Sequence, residues 1–186
     1  MDRSSTERVV ARSPRELRIP GERSGSYRLA ADLIARHGVA GRFRHDGEGN
    51  AGDHDAHTGA VLVFPGEGIS VERADSFMAE RHEEGTIGPV YRREPGGGLA
   101  VPTGRALVRF AEGESAAERG DELAATGYKL EGVPRYAPHA AWVRASDGGI
   151  AETLRNLDRL GRLPGVENVE PQMISSAEPR AARHTA

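Results

Sequence analysis

In the second half of the chain, hydrophobic positions switch between a period of two and a helical period. Residues 106–110 alternate, placing Val108 and Phe110 on one face and Leu107 and Arg109 on the other. Ser115 then opens a helical stretch with Glu118 three residues on, the spacing of a capping box. Ala116, Gly120, Leu123 and Ala124 form its inner stripe, and Gly127 stands where a left-handed cap is expected. A second strand covers 128–133, a turn follows over 134–138, and a third strand covers 140–145. That strand turns Ala141, Val143 and Ala145 to one side and Trp142 and Arg144 to the other. Ile150, Leu154 and Leu157, continued by Leu160 and Leu163, predict an amphipathic helix over 149–162, stopped by Gly161 and Pro164. The last strand holds Val166 and Val169, whose unequal parity points to a bulge or a late start. Neither helices nor strands can bury an apolar side alone, so two helices should cover one face of a four-stranded sheet. The expected class is α+β, with a ferredoxin-like βαββαβ antiparallel sheet over about residues 100–172.

The first half is less regular. Residues 1–25 carry Ser, Arg, Pro and Gly without period and are expected to be a disordered arm. Residues 26–95 are expected to form a small α/β segment. In it, 27–37 suits a short helix, because Leu29, Leu33 and Ile34 share a face and Gly38 can end it. Residues 41–59 are polar and glycine-rich, a linker. Residues 61–64 suit a buried strand, 72–83 a helix marked by Ala74, Phe77, Met78 and Arg81, and Ile87, Val90 and Tyr91 another strand. A turn at Gly96-Gly97-Gly98 leads to 99–101, and 173–186 is expected to be a flexible tail.

Composition narrows the chemistry. The 186 residues include 24 Gly and 11 Pro and are 37% hydrophobic, which favours a compact core with much irregular chain. A net charge of -3 gives no reason to expect nucleic acid or an anionic membrane as partner. Cysteine is absent, so thiolate chemistry, disulfides and Cys-based metal sites are excluded. Nothing in the first 25 residues has the apolar run of a signal peptide, and no segment approaches the ~20 apolar residues of a membrane span, so a cytoplasmic location is expected.

Three phrases carry a family resemblance. Val101-Pro102-Thr103-Gly104, leading into Leu107-Val108-Arg109-Phe110 and Glu112-Gly113, resembles the start of the N-terminal prodomain of subtilisin-like serine proteases. Leu163-Pro164-Gly165-Val166-Glu167 with Val169-Glu170-Pro171 resembles its end, and Ala141-Trp142-Val143-Arg144 is similar to its third strand. The resemblance covers about residues 100–172. It implies a module that acts as inhibitor and folding chaperone, with a subtilisin-like catalytic domain as partner. The implied docking face of the sheet is Leu107, Arg109, Trp142 and Arg144. The implied cleft-binding tail is Glu170, Pro171, Gln172, Met173, Ile174 and Ser175. The family's Asp, His and Ser signatures are not found in this chain, so no catalytic residue is assigned and self-contained proteolysis is not expected. The alternative is a non-catalytic protein–protein interaction domain that reuses the fold.

Other constellations are weaker. His45, Asp46, Asp53, His54, Asp55 and His57 have metal-ligand types at short spacing, but glycines surround them where a ligand scaffold would need an apolar frame. No metal and no cofactor is expected. Glu83-Glu84 suits a solvated helix end, His37-Gly38 a helix C-terminus, and the glycine triplet lacks the Lys and Ser/Thr of a phosphate loop. RNA binding on the sheet would need more aromatics than Trp142 alone.

Overall fold

The computed structural model describes residues 3–18, 25–38, 60–64, 67–76 and 86–175. Strand β6 (Leu99–Phe110) is its spine, for it borders three other strands. In its second half the predicted alternation holds: Ala106, Val108 and Phe110 are fully buried, and Leu107 and Arg109 face the other way. There it pairs with β8 (Ala140–Ala145), which pairs in turn with β7 (Tyr128–Gly132). Its other edge is lined from end to end by β9 (Val166–Ser175).

The first half of β6 turns to a different neighbour. Tyr91 and Arg92 of β5 (Thr86–Glu94) pair with Ala100 and Leu99, closing the hairpin through the glycine triplet. The sheet continues from β5 to β2 (Ser26–His37), β4 (Ile69–Arg73) and β3 (Ala60–Phe64), while β1 (Glu16–Arg18) adds to the start of β2. Among the described residues the result is one nine-stranded sheet in which every ladder is antiparallel. The expected four-stranded sheet is therefore not free-standing, because β5 and the C-terminal half of β9 extend it along β6.

Helical segments are short. They are α1 (Arg3–Arg12), a 3-10 turn (Ala116–Arg119) running into α2 (Gly120–Ala125), α3 (Ile150–Arg155) and α4 (Leu157–Leu160). Leu123 and Leu160 are fully buried against Val108, Phe110 and Val143, worth about 1.5–3 kcal/mol per side chain. A second cluster gathers Leu33, Ala35, Leu62, Phe64, Val71 and Val90 in the first half of the sheet. A third, around Tyr91, Ala100 and Leu154, lies where the two halves meet.

Several expectations are corrected. The supposed disordered arm holds α1 and β1; Leu17 packs beside Tyr91 and Leu154, and the Tyr91 hydroxyl donates to the Pro14 carbonyl at 3.0 Å. Its polar composition hid the fact that backbone pairing to β2, not a hydrophobic run, fastens it. Residues 27–37 are strand, not helix. Leu33 to Arg36 are all buried, and a strand covered on both faces loses the alternation that marks it in a sequence. Residues 72 and 73 end β4, 74–76 form a turn, and the rest of the expected 72–83 helix lies outside the described residues. Ser115 caps nothing with its side chain. The Glu118 amide, which a capping box would give to the Ser115 hydroxyl, donates instead to the Ser115 backbone carbonyl at 3.1 Å, the bond of a tighter 3-10 turn. The 149–162 helix breaks at Asn156, whose side-chain amide donates to the Glu152 carbonyl at 3.5 Å in competition with the backbone. Residues 173–175 belong to β9; 176–186, like the linker 41–59, lie outside the described residues. The expected bulge is present: Arg109 faces Asn168 but Phe110 faces Val166, leaving Glu167 as the extra residue.

Candidate functional site

The face of β6 and β8 away from the helices carries all four residues expected to dock a partner. Leu107 and Trp142 are direct cross-strand neighbours, Arg109 sits opposite Ala140, and Arg144 follows Trp142 by one strand repeat. The alternation that buries Val108 and Val143 forces these side chains to the opposite surface. α1 packs on β2, β5 and α3, so the N-terminal segment sits beside the helices.

Tertiary structure adds partners that sequence reading missed. A register shift between Leu130 and Gly132 places Glu131 where both its oxygens find arginines. Arg144 Nε donates to Oε1 at 2.8 Å and Arg105 Nε to Oε2 at 2.6 Å. The Arg105 guanidinium also lies 5.3 Å from the centre of the Trp142 ring, a cation–π contact. Desolvation raises the Glu131 carboxyl, but the hydrogen bonds and charges of Arg144 and Arg105 outweigh it and hold the pKa below the ordinary range. Arg105 shares the parity of Leu107 and Arg109, which was the available signal. Glu131 shares the parity of Lys129, so its face was legible too; which arginines it reaches was not, because that depends on the bulge.

The six residues expected to lie in a protease cleft are built into β9 instead. Glu170 pairs with Leu107 and approaches Arg109 at 3.9 Å, and its Oε1 also accepts a hydrogen bond from the Asn168 amide. Pro171 faces Ala106, and the Thr103 hydroxyl donates to Gln172 Oε1 at 2.8 Å. Met173 packs on the cluster around Tyr91, Ile174 on the cluster around Val90 and Val101, and Ser175 ends the ladder opposite Ala100. These residues form sheet because Met173 and Ile174 reach two different cores from opposite faces of one strand.

Behind the face, Thr153 on α3 is fully buried. Its hydroxyl oxygen accepts the Ala145 amide at 3.0 Å and lies 3.1 Å from the carbonyls of Gly104 and Gly149. The Tyr128 hydroxyl donates to the Thr153 carbonyl at 2.6 Å. One helix residue thus pins the strands that carry Arg105, Lys129, Trp142 and Arg144.

His37 ends β2 rather than a helix. Its Nε2 is buried without a hydrogen-bond partner, pressed toward Gly88 and Ile150. Burial first, and the charge of Arg144 second, lower its pKa from 6.5 to about 4, so it is neutral at physiological pH. A concavity of about 740 Å³ lies between β1, α3, α4 and β9, with a rim mixing Glu16, Arg18, Arg155 and Asp158. Among the described residues no three His, Asp or Glu side chains gather as a metal site, and no helix is long and apolar enough to cross a membrane. The histidine and aspartate cluster at 45–57 and Glu83-Glu84 lie outside the described residues.

No family model, curated protein or solved structure matches the chain.

Proposed function

We propose that this chain is a non-catalytic docking module of the subtilisin-prodomain type, which binds a subtilisin-like catalytic domain through the open face of β6 and β8. The observation that carries the reading is Trp142, half-buried at the centre of a sheet face and framed by Leu107, Arg105, Arg109 and Arg144. A large aromatic flanked by arginines on a rigid sheet is the composition of an interface anchor. The local path β9-β6-β8-β7, with helical segments after β6 and after β8, supports a ferredoxin-like unit within the larger sheet. The whole sheet is longer than that pattern and its order differs from it.

A narrower role follows for the C-terminal strand. Glu170 to Ser175 cannot leave β9 for a cleft without stripping Met173 and Ile174 from the core, so docking by the face carries the interaction. That same observation favours a second reading, an interaction domain that binds its partner without inhibiting it.

The test is titration of the full chain into a subtilisin-type protease, following both binding and hydrolysis of a small substrate. A version ending at Ser175 is the informative truncation, since one ending at Pro171 would damage the fold. Trp142→Ala should weaken binding by ~2 kcal/mol or more while the unfolding transition is nearly unchanged. Binding without inhibition selects the second reading. Unfolding of the Trp142 variant would show that the ring is core and remove the docking face.

A further inference from the structure

The open face is crowded with one sign of charge. Lys129 and Arg144 are cross-strand partners, Arg105 lies on the next strand, and Glu131 is the carboxylate set between the two arginines. Arg109 stands further along β6 and Glu170 approaches it only to 3.9 Å. The face therefore holds four cations (Arg105, Arg109, Lys129, Arg144) against two carboxylates (Glu131, Glu170), whereas the chain as a whole carries -3. Like charges opposite one another across strands are unfavourable unless something neutralises them.

We propose that the occupant of this face is an acidic protein surface, which sets carboxylates against the row of Lys129, Arg144 and Arg105. The inference rests on reading this sheet face as a docking surface, but not on the partner being a protease. Arg105 and Arg144 each give only their Nε to Glu131, so that the paired Nη edge of each guanidinium makes no ion pair among the described residues. That edge matches a carboxylate in bidentate geometry. Trp142 beneath Arg105 supplies the apolar contact that excludes water from such pairs. A single-stranded nucleic acid would also bring negative charge, but it is held by several stacking aromatics, and Trp142 is the single tryptophan of the chain.

Because Trp142 is the single tryptophan, its emission reports directly on this face. The experiment titrates the full chain with hexaglutamate, with hexalysine and with a short single-stranded DNA, following that emission at low and high salt. Hexaglutamate should give a saturable change that weakens about tenfold or more between ~50 and ~300 mM salt, and hexalysine none. The double variant Arg109→Glu, Lys129→Glu removes two exposed side chains from the rim and should weaken hexaglutamate at least about tenfold with the thermal transition retained. Equal responses to both peptides, no response to hexaglutamate, or tighter binding of DNA at equal charge would each overturn the proposal. Hexaglutamate binding without protease binding keeps the acidic-partner inference and removes the protease. Protease binding that is lost in Trp142→Ala but insensitive to salt and charge reversal does the reverse.

Discussion

Replacing Thr153 by Val tests whether one buried hydroxyl holds β6 and β8 to α3. Valine keeps the branched shape, so no cavity opens, and only the polar contacts change. The Ala145 amide, now 3.0 Å from the hydroxyl oxygen, is left without that acceptor in a buried position, costing about 1–3 kcal/mol. The hydroxyl proton serves Gly104 or Gly149, both at 3.1 Å, but Gly149 already accepts the Thr153 amide at 3.0 Å. Losing that bond adds about 0.5–1.5 kcal/mol, so the expected total is about 1.5–4.5 kcal/mol. Thr153→Ser retains the hydroxyl and loses one methyl, expected to cost about 1 kcal/mol. Urea unfolding of the full chain, read as a shift in midpoint at constant slope, measures both. If the valine variant is as stable as the serine variant, the hydroxyl is not what joins α3 to β6 and β8, and the reasoning fails.

Other perturbations follow from the same structure. Gly165 has φ +74, and an added Cβ would stand 2.6 Å from Glu114 Oε1, so Gly165→Ala should lower stability by ~1 kcal/mol for the backbone alone and by more for the clash. Adding Glu114→Ala should recover the clash part only, which a double-mutant cycle in denaturant would resolve. His37 titrates at about 4 when folded but near 6.5 when unfolded, so the unfolded chain takes up the proton first as pH falls. Its contribution is complete above pH 6.5 and is lost through the window down to pH 4, by up to about 3 kcal/mol at ~1.4 kcal/mol per pKa unit. His37→Gln should flatten that part of the stability–pH curve; an unchanged slope in the variant counts against a buried neutral imidazole. Glu131 works the other way in charge but in the same direction of pH. Its folded pKa is depressed, so its stabilising contribution is present above the unfolded carboxyl pKa and is lost in acid, and Glu131→Gln should remove that dependence in a fluorescence pH titration of Trp142.

The outward face of β6 and β8 was legible because strand alternation is a local property. Once Val108, Phe110, Ala141 and Val143 are assigned inward, Leu107, Arg109, Trp142 and Arg144 have only one other side to occupy. The bulge at Glu167 was legible for the same reason, as a break in parity between Val166 and Val169. The partners of Glu131 were not, because a register shift on β7 decides that it reaches two arginines on other strands.

By itself, then, the sequence determined the strands and turns from about 106 to 170, their inward and outward faces, and the absence of thiol chemistry. Only the tertiary structure decided the state of segments whose local signals were ambiguous. The stretch from Ser26 to His37 has helical spacing, yet β1, β4 and β5 claim its backbone hydrogen bonds and it becomes a strand. Glu170 to Ser175 has the look of a tail, yet the exposed edge of β6 and two apolar clusters take it in. In both cases the deciding energy comes from partners far away in the chain, hydrogen-bonded ladders and buried side chains that no window of neighbouring residues contains.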